Sequence, residues 1–273
     1  MHISFEYELI SSRKNKRITD ASALSDKKFR DRSGLFCAEG AKLLEEILDS
    51  GVSLPMVFFT EKAAESCATL LERASDSGAD MFLVTDEVMD KLTDEKAPQG
   101  VFSCAQIPSK KLVSKETLSC SDGGFLILDN LQNPGNVGTI IRTAVSLGLS
   151  NIILCAACAD VYSSKVLRGA MGAVFRANLL YCDDVCKCVS LLTSSGKRVY
   201  AAALTENALP VGSFEFNKDD SIVIGNEGHG LCDSAVKACT DALIIPMQCG
   251  MDSLNAGIAA ALLIWEKTKN FTR

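Results

Sequence analysis

The sequence lacks the features that mark membrane and secreted proteins. No apolar run in its 273 residues reaches the roughly 18 that would suggest a membrane-spanning helix. The first residues contain neither a basic segment nor an apolar one, so we expect no secretory signal. These absences lead us to expect a cytoplasmic protein.

Pairs of metal ligands are also scarce. His2 and His229 are the only histidines, and Cys155 and Cys158 form the only C-x-x-C pair. Because a structural zinc site needs a second pair of ligands at similar spacing, we expect no metal. Twelve cysteines are too few for a disulfide scaffold in a chain of this length, so we expect reduced thiols, many of them buried.

Positive charge is concentrated near the N-terminus, although the whole chain has a net charge of −6. Between Ser11 and Ser33, eight basic residues face three acidic ones, which gives this segment a charge of +5. A basic end on an acidic chain is typical of proteins in which one segment contacts phosphates. The alternative is a solvated amphipathic helix.

Strand and helix patterns alternate over the first hundred residues. Strand candidates lie at 34–40, 57–60, 81–85 and 100–105, and helix candidates lie at 41–50, 63–77 and 87–92. This alternation predicts a small α/β domain over residues 1–106. Residues 107–123 are polar and rich in Ser, Lys, Asp and Gly, which predicts a linker.

The second half contains short and nearly continuous apolar runs, at 125–128, 151–154, 199–203, 221–224 and 242–245. Such runs, separated by helical stretches, are typical of a parallel sheet that is covered on both faces. We therefore predict an α/β domain over residues 124–273. In such sheets ligands bind in the loops at the carboxyl ends of the strands.

The first unusual loop spans residues 129–144. Pro134 and Gly135 mark a turn, and a helix is expected to follow. Asn136 and Arg142 are expected to project into one crevice, where the arginine would bind a phosphate or polarise a hydroxyl. The alternative is a surface arginine with a capping asparagine.

The second unusual loop spans residues 224–231 and contains Gly225, Gly228 and Gly230. Its bare backbone can contact a flat ligand directly, but its spacing is not the G-x-G-x-x-G dinucleotide motif. Glu227 disfavours a phosphate cradle, since a carboxylate repels phosphate. His229 is a weaker candidate for a base, and a contact at a helix terminus is the favoured alternative.

The third unusual loop, residues 245–256, opens a helix that is expected to reach about Lys269. Ser253 and Asn255 are expected to cap this helix while presenting side-chain oxygens outward. The small apolar residues that follow would allow close packing. The helix would also serve as an ordinary capped core helix.

Taken together, these loops resemble the three motifs of the SpoU family, which belongs to the SPOUT superfamily of RNA methyltransferases. The matching segments are Asn133-Pro-Gly-Asn-Val-Gly-Thr-Ile-Ile-Arg142, Ile224-Gly-Asn-Glu-Gly-His-Gly-Leu231 and Ile245-Pro-Met followed by Ser253-Leu-Asn255. The N-terminal third also resembles the ribosomal-protein-like RNA-binding domain of many rRNA members, through residues 12–17 and 34–40. The sequence departs from the family's third motif directly after Asn255, where Ala256-Gly257 replaces the commoner Val-Ser.

The resemblance implies a trefoil-knotted methyltransferase domain, S-adenosylmethionine as cofactor and an active site at a homodimer interface. It implies that the reacting ribose is surrounded by Asn136, Arg142, Glu227, Ser253 and Asn255. It further implies that the cofactor is held near Leu204, Thr205, Gly225, Asn226, Gly228, Ile245, Met247 and Leu254. The residues expected to bind RNA are Arg13, Lys14, Lys16, Arg17 and Arg30.

The implied activity is methyl transfer from S-adenosylmethionine to a ribose 2′-hydroxyl of RNA, with rRNA favoured by the N-terminal domain. A tRNA substrate is one alternative, and an RNA-binding protein that has lost catalysis on the same fold is another. An NAD-dependent enzyme is disfavoured, because the dinucleotide motif and its ribose-binding acid are missing.

Overall fold

The computed structural model describes residues 4–95, 97–248 and 254–271. The chain divides into two compact units. The first consists of Met1–Pro108 together with Tyr162–Phe175, and the second consists of Ser109–Val161 and Arg176–Arg273. Across the described residues, no helix combines the length and the apolar character that crossing a membrane requires.

Up to Pro108 the chain alternates short strands and helices. The strands are β1 (Glu8–Ile10), β2 (Leu35–Glu39), β3 (Met56–Phe59), β4 (Asp80–Val84) and β5 (Val101–Gln106). The helices are α1 (Lys16–Ala23), α2 (Lys27–Ser33), α3 (Ala41–Ser50), α4 (Glu61–Ser66), α5 (Ala68–Asp76) and α6 (Asp86–Leu92). The helix predicted over 63–77 is divided at Cys67, whose φ of −126° lies outside the helical region.

The rest of the chain continues this alternation. Its strands are β6 (Lys111–Leu112), β7 (Leu126–Asp129), β8 (Asn151–Cys155), β9 (Asn178–Cys182), β10 (Val199–Ala202), β11 (Leu209–Pro210), β12 (Ser221–Ile224) and β13 (Asp241–Ile244). Its helices are α7 (Lys115–Ser119), α8 (Pro134–Ser146), α9 (Ser164–Ala170), α10 (Val185–Ser194), α11 (Asp233–Ala238) and α12 (Ala256–Thr268), with a 3-10 turn at Ala173–Phe175.

The first unit is built on a five-stranded mixed sheet in the order β1-β4-β3-β5-β2. Strand β5 runs antiparallel to both β2 and β3, whereas β4 is parallel to β1 and β3. Phe58 stacks on Phe82 with a ring-centroid distance of 5.1 Å and meets Phe102 edge-on, so three neighbouring strands share one aromatic core.

Helix α9 also belongs to the first unit. It packs against β2, where Phe36 lies 5.1 Å from the ring of Tyr162 and 5.8 Å from that of Phe175. An ion pair of 3.5 Å between Arg168 and the nearly buried carboxylate of Glu39 adds to this contact. A segment that follows β8 in the chain therefore completes the core of the N-terminal unit.

The second unit is built on an eight-stranded sheet in the order β11-β13-β10-β12-β7-β8-β9-β6, in which every strand pair is parallel. The central strands β7 and β12 pair through Ile127 and Val223, and both side chains are fully buried. The predicted parallel α/β sheet is confirmed. Residues 107–123, predicted as a linker, carry β6 and α7, and β6 pairs with β9 as the edge strand of this sheet.

Candidate functional site

A cleft of about 1030 Å³ opens in the second unit, beside the carboxyl ends of β10, β12 and β13. The loops that follow these strands contribute most of its lining. Every residue predicted to hold the cofactor lines it: Leu204, Thr205, Gly225, Asn226, Gly228, Ile245, Met247 and Leu254. The structure thus brings together three stretches that lie far apart in the sequence.

The glycine-rich loop after β12 is tightly folded. A Cβ atom on Gly225 would lie 2.5 Å from the carbonyl carbon of Gly230, so that only glycine fits at this position. The Oδ1 atom of Asn226 accepts hydrogen bonds from the backbone N–H groups of Gly228 and His229, at 2.9 and 3.1 Å. Its Nδ2 donates to the carbonyl of Asn130 at 2.8 Å, which ties this loop to the loop after β7.

Glu227 links the glycine-rich loop to the start of α8. Its Oε1 accepts from the Asn136 side chain and from the Asn133 backbone, both at 3.1 Å, and its Oε2 accepts from the Gln132 backbone at 3.3 Å. Burial acts to raise the pKa of Glu227, but these hydrogen bonds outweigh it and lower the pKa. The ionised carboxylate is therefore engaged in positioning and is a poor proton acceptor.

Asn255 extends this connection to the third loop. Its Nδ2 donates to the Oδ1 of Asn136 at 3.1 Å, and its own Oδ1 caps α12 by accepting from Gly257 and Ile258 at 2.9 and 3.4 Å. A Cβ on Gly257 would lie 3.1 Å from the Asn255 Oδ1 and 3.6 Å from the Asn136 Oδ1, so this position faces the same group of side chains. The predicted capping by Asn255 is observed. The predicted catalytic residue Ser253 lies outside the described residues.

Arg142 and Asn136 lie on different sides of α8. Six residues along an α-helix turn the chain by about 240° beyond one full rotation. Asn136 is buried against Glu227 and Asn255, whereas Arg142 is exposed and does not line the cleft. Within one chain, these two residues therefore do not project into a single crevice as the sequence suggested.

Several charged residues of the cleft were missed from the sequence. Glu206, Asp233 and Lys237 all line it. Glu206 directly follows the predicted Thr205, and Asp233 lies two residues beyond the glycine-rich loop, so their positions beside the predicted loops could have indicated them. His229 also lines the cleft, and its backbone N–H contacts Asn226.

Four of the five predicted RNA-binding residues, Arg13, Lys14, Lys16 and Arg17, are exposed before or on α1. Arg17 pairs with Glu8 at 3.2 Å and lies 5.0 Å above the ring of Phe82. Arg30 differs, because it is 3 % exposed and its Nη1 donates to the carbonyls of Leu24 and Ser25. This guanidinium stabilises the turn between α1 and α2, and its burial keeps it from contacting RNA, so the prediction for Arg30 is wrong.

Within residues 4–95, 97–248 and 254–271, no three His, Cys, Asp or Glu side chains converge in a way that could hold a metal ion. The eleven described cysteines are all free thiols.

Comparisons with known proteins place this site in a family. Residues 124–265 match the SpoU rRNA Methylase family, and residues 15–103 match the MRM3-like substrate binding domain. The chain is 30 % identical to the 23S rRNA (guanosine(2553)-2′-O)-methyltransferase RlmP of Bacillus subtilis (strain 168), over 94 % of this chain and 97 % of that one. It is 27 % identical to the mitochondrial rRNA methyltransferase 3 of Homo sapiens, over 87 % of this chain and 68 % of that one.

A solved structure agrees with these sequence relatives. The AdoMet-bound rRNA methyltransferase from Sinorhizobium meliloti superposes with a TM-score of 0.87 at 25 % identity, over 98 % of this chain and 99 % of that one. The superposition covers nearly the whole chain, so this chain shares its fold with that enzyme. The chain belongs to the SpoU rRNA methylase family.

Proposed function

We propose that this protein transfers a methyl group from S-adenosylmethionine to a ribose 2′-hydroxyl of ribosomal RNA. The observation that carries this proposal is the connection of the cleft to Asn136 through Glu227, with Asn255 on the other side of the same amide. This hydrogen-bonded connection links the proposed cofactor-binding cleft to polar side chains that can orient a nucleotide.

The cleft fits S-adenosylmethionine in size and in chemistry. The cleft offers apolar surface for an adenine ring at Leu204, Ile245, Met247 and Leu254, and Gly225 lines it next to them. Thr205, Asn226 and Gly228 complete the proposed cofactor-binding set. When bound, the cofactor supplies a methyl group on a sulfonium, which is already activated for transfer. The protein's own task is then to align and deprotonate the ribose hydroxyl.

Alignment accounts for a large part of this task, since holding two reactants in the right orientation lowers the activation free energy by roughly 7–11 kcal/mol relative to free collision. The Asn136 amide is held at its oxygen by Asn255 and at its nitrogen by Glu227. Among the described residues Glu227 alone is seen to accept from the Asn136 amide, so its second N–H can orient the nucleotide. We assign Ser253 and Asn255 to the same positioning, on the basis of the family motif.

Arg142 is proposed to bind the target ribose and its phosphate. A guanidinium has hydrogen-bond donors and no acceptor, so Arg142 cannot act as the base. We propose that the proton leaves through a phosphate oxygen or a water molecule, and that the guanidinium stabilises the charge that develops.

We further propose that the enzyme is a homodimer and that its motif loops form a trefoil knot. Ile258, Leu262 and Trp265 lie at i, i+4 and i+7 on α12 and are 56, 43 and 54 % exposed, so they form an apolar stripe that solvent would not favour. A second chain packed on this stripe would cover it. Arg142, exposed on the neighbouring helix α8, would then meet the partner's cleft.

The N-terminal unit is proposed to bind the RNA substrate. Arg13, Lys14, Lys16 and Arg17 would contact backbone phosphates and make binding strongly salt-dependent. We favour rRNA because the SpoU match is accompanied by a substrate-binding domain match that covers residues 15–103. We place the reaction in the cytoplasm, where eleven free thiols would stay reduced.

A methyl-transfer assay tests this function. Purified protein is incubated with methyl-labelled S-adenosylmethionine and either rRNA or tRNA from cells that lack the gene, and 2′-O-methyl positions are mapped. We expect label at one rRNA ribose. Label only in tRNA would replace the substrate, and RNA binding without any transfer would favour the inactive alternative. Calorimetry that shows no cofactor binding to folded protein would overturn the proposal.

A further inference from the structure

Two cysteines beside the cleft have no part in the proposed methyl transfer. Cys186 is the second residue of α10, and Cys232 caps the start of α11. Both sulfur atoms contact the hydroxyl of Ser234, Cys186 at 3.4 Å and Cys232 at 3.2 Å. One side-chain oxygen thus connects two thiols that lie 46 residues apart in the numbering of this chain.

Both thiols can be reached from solvent. Cys232 is exposed and Cys186 is half-buried. The hydrogen bond from Ser234 lowers the pKa of Cys232, and the Ala235 backbone and the Cys186 thiol contribute in the same direction. A thiol with a lowered pKa has a larger thiolate fraction at neutral pH, and the thiolate is the form that reacts with oxidants.

We propose that Cys186 and Cys232 form a reversible disulfide when the protein meets a hydroperoxide, and that this bond weakens cofactor binding in the cleft. The Cys232 thiolate attacks one peroxide oxygen, the O–O bond breaks, and hydroxide leaves. The Cys186 thiol then attacks the sulfenic sulfur, the S–O bond breaks, and water leaves with the thiol proton. Two thiols are oxidised, one hydrogen peroxide is reduced to two waters, and a dithiol reverses the change.

The link to the cleft comes from the neighbours of Cys232. Leu231, Asp233 and Val236 all line the cleft, and Leu231 shares its core cluster with Val185 at the start of α10. A disulfide holds its sulfurs at about 2.05 Å, which is closer than two free thiols approach, so bond formation draws the starts of α10 and α11 together. This effect on binding rests on the proposed function, because there the cleft is assigned to S-adenosylmethionine.

A second pair of thiols competes with this one. Cys188 donates a hydrogen bond that lowers the pKa of Cys182 to about 6. However, Cys188 is fully buried in the main core cluster together with Cys155. A disulfide between Cys182 and Cys188 would distort the packing of the core around Cys188. Because this distortion costs free energy, we favour Cys186 and Cys232 as the pair that forms the disulfide.

Trypsin distinguishes the two pairs. Cleavage after Arg176, Lys187, Lys197, Lys218 and Lys237 places Cys186 in the peptide 177–187 and Cys232 in the peptide 219–237. Cys188 begins the separate peptide 188–197. Full-length protein is treated with hydrogen peroxide, free thiols are alkylated, and the digest is examined by mass spectrometry with and without dithiothreitol.

We expect a linked species of 177–187 with 219–237 that dithiothreitol separates. It should persist in Cys182→Ser, which shares the first peptide, and disappear in Cys186→Ser and Cys232→Ser. Ser234→Ala should slow its formation without removing either thiol. A link between 177–187 and 188–197, or oxidation to sulfinic acid with no link, would overturn the proposal.

Calorimetry tests the consequence for binding. Peroxide should weaken the binding of S-adenosylmethionine to the wild-type chain about fivefold or more, and dithiothreitol should restore it. Cys232→Ser, whose fold is checked by circular dichroism, should bind equally before and after peroxide. Equal affinity of the linked and reduced wild-type forms would overturn the proposed regulation. No binding to the reduced wild-type form would instead refute the proposed function, while the peptide map would still decide whether the disulfide forms.

Discussion

The side-chain amide of Asn255 donates a hydrogen bond to the side-chain Oδ1 of Asn136 at 3.1 Å, although 119 residues separate them in the chain. This bond joins the cap of α12 to the first turn of α8, and Glu227 holds the other end of the Asn136 amide. The side chain of Asn136 is thereby fixed at both its oxygen and its nitrogen. Such fixed groups lose little entropy when a substrate binds, which is how positioning contributes to a rate.

Glu227→Gln tests this positioning. The amide keeps one acceptor oxygen and cannot satisfy Asn136 and both backbone N–H groups. We expect a turnover about 10–100-fold lower, by analogy with the loss of partners that orient a reacting group, while cofactor affinity changes little. Single-turnover rates and calorimetry measure the two effects. An unchanged rate would contradict the role given to this carboxylate.

The lowered pKa of Glu227 also predicts a pH dependence of stability. A carboxyl whose pKa is lower in the folded than in the unfolded state stabilises the fold above its unfolded pKa. This contribution is lost as pH falls through the folded pKa. An ordinary Glu titrates in about the range from pH 6 to pH 3. Over this range we therefore expect the free energy of unfolding to fall less in Glu227→Gln than in the wild type. Urea titrations across this range measure it, and parallel curves would exclude the effect.

Arg142→Ala should abolish methylation and leave cofactor binding nearly intact, because Arg142 does not line the cleft of its own chain and is proposed to contact the ribose and phosphate of the RNA. Removal of one hydrogen-bond donor that stabilises developing charge lowers the turnover rate about 10²–10³-fold. Arg142→Lys keeps the positive charge but cannot form bidentate hydrogen bonds, so we expect partial activity. Calorimetry and methyl transfer are measured on the same preparations. Loss of both in Arg142→Ala would show that the residue supports the cofactor site.

Gly225→Ala should destabilise the glycine-rich loop. The new Cβ would lie 2.5 Å from the Gly230 carbonyl carbon, which forces the backbone apart. Overpacking of this kind costs roughly 1–3 kcal/mol, and cofactor binding should weaken with it. Gly228→Ala is the matched control for stability, since the nearest atom to its Cβ is the Asn226 Oδ1 at 3.6 Å. Equal unfolding midpoints for the two variants would rule out this explanation.

The sequence predicted the sheet of the second unit well because its central strands are buried on both faces. Such strands appear as continuous apolar runs, as at Leu126 and Ile222. Strand β9, next to the edge strand β6, was missed, since Asn178–Cys182 is mostly half-buried and lacks such a run. The place of α9 in the first unit could not be predicted either. It depends on contacts of Phe36 with Tyr162 and Phe175, which join residues remote in the chain.

The site was predicted unevenly for a similar reason. The family resemblance implied eight cofactor-binding residues, and all of them line the cleft beside the ends of β10, β12 and β13. Side-chain direction depends on helix phase, and the sequence interpretation placed Asn136 and Arg142 on one side of α8. The burial of Arg30 was also missed, because its partners are backbone carbonyls, which no sequence pattern reveals.

Trp265→Glu tests the proposed homodimer and with it the placement of Arg142. Trp265 is 54 % exposed on the apolar stripe of α12, so a carboxylate there leaves a single chain intact but would be buried unpaired between two chains. We expect a monomer by analytical ultracentrifugation and loss of methyl transfer. Leu9→Glu is the control, because Leu9 is also a large, exposed apolar residue, 63 % exposed on the strand β1. That variant should keep the wild-type mass and activity. A fully active Trp265→Glu monomer would show that one chain contains the whole site and that Arg142 acts within its own subunit or not at all.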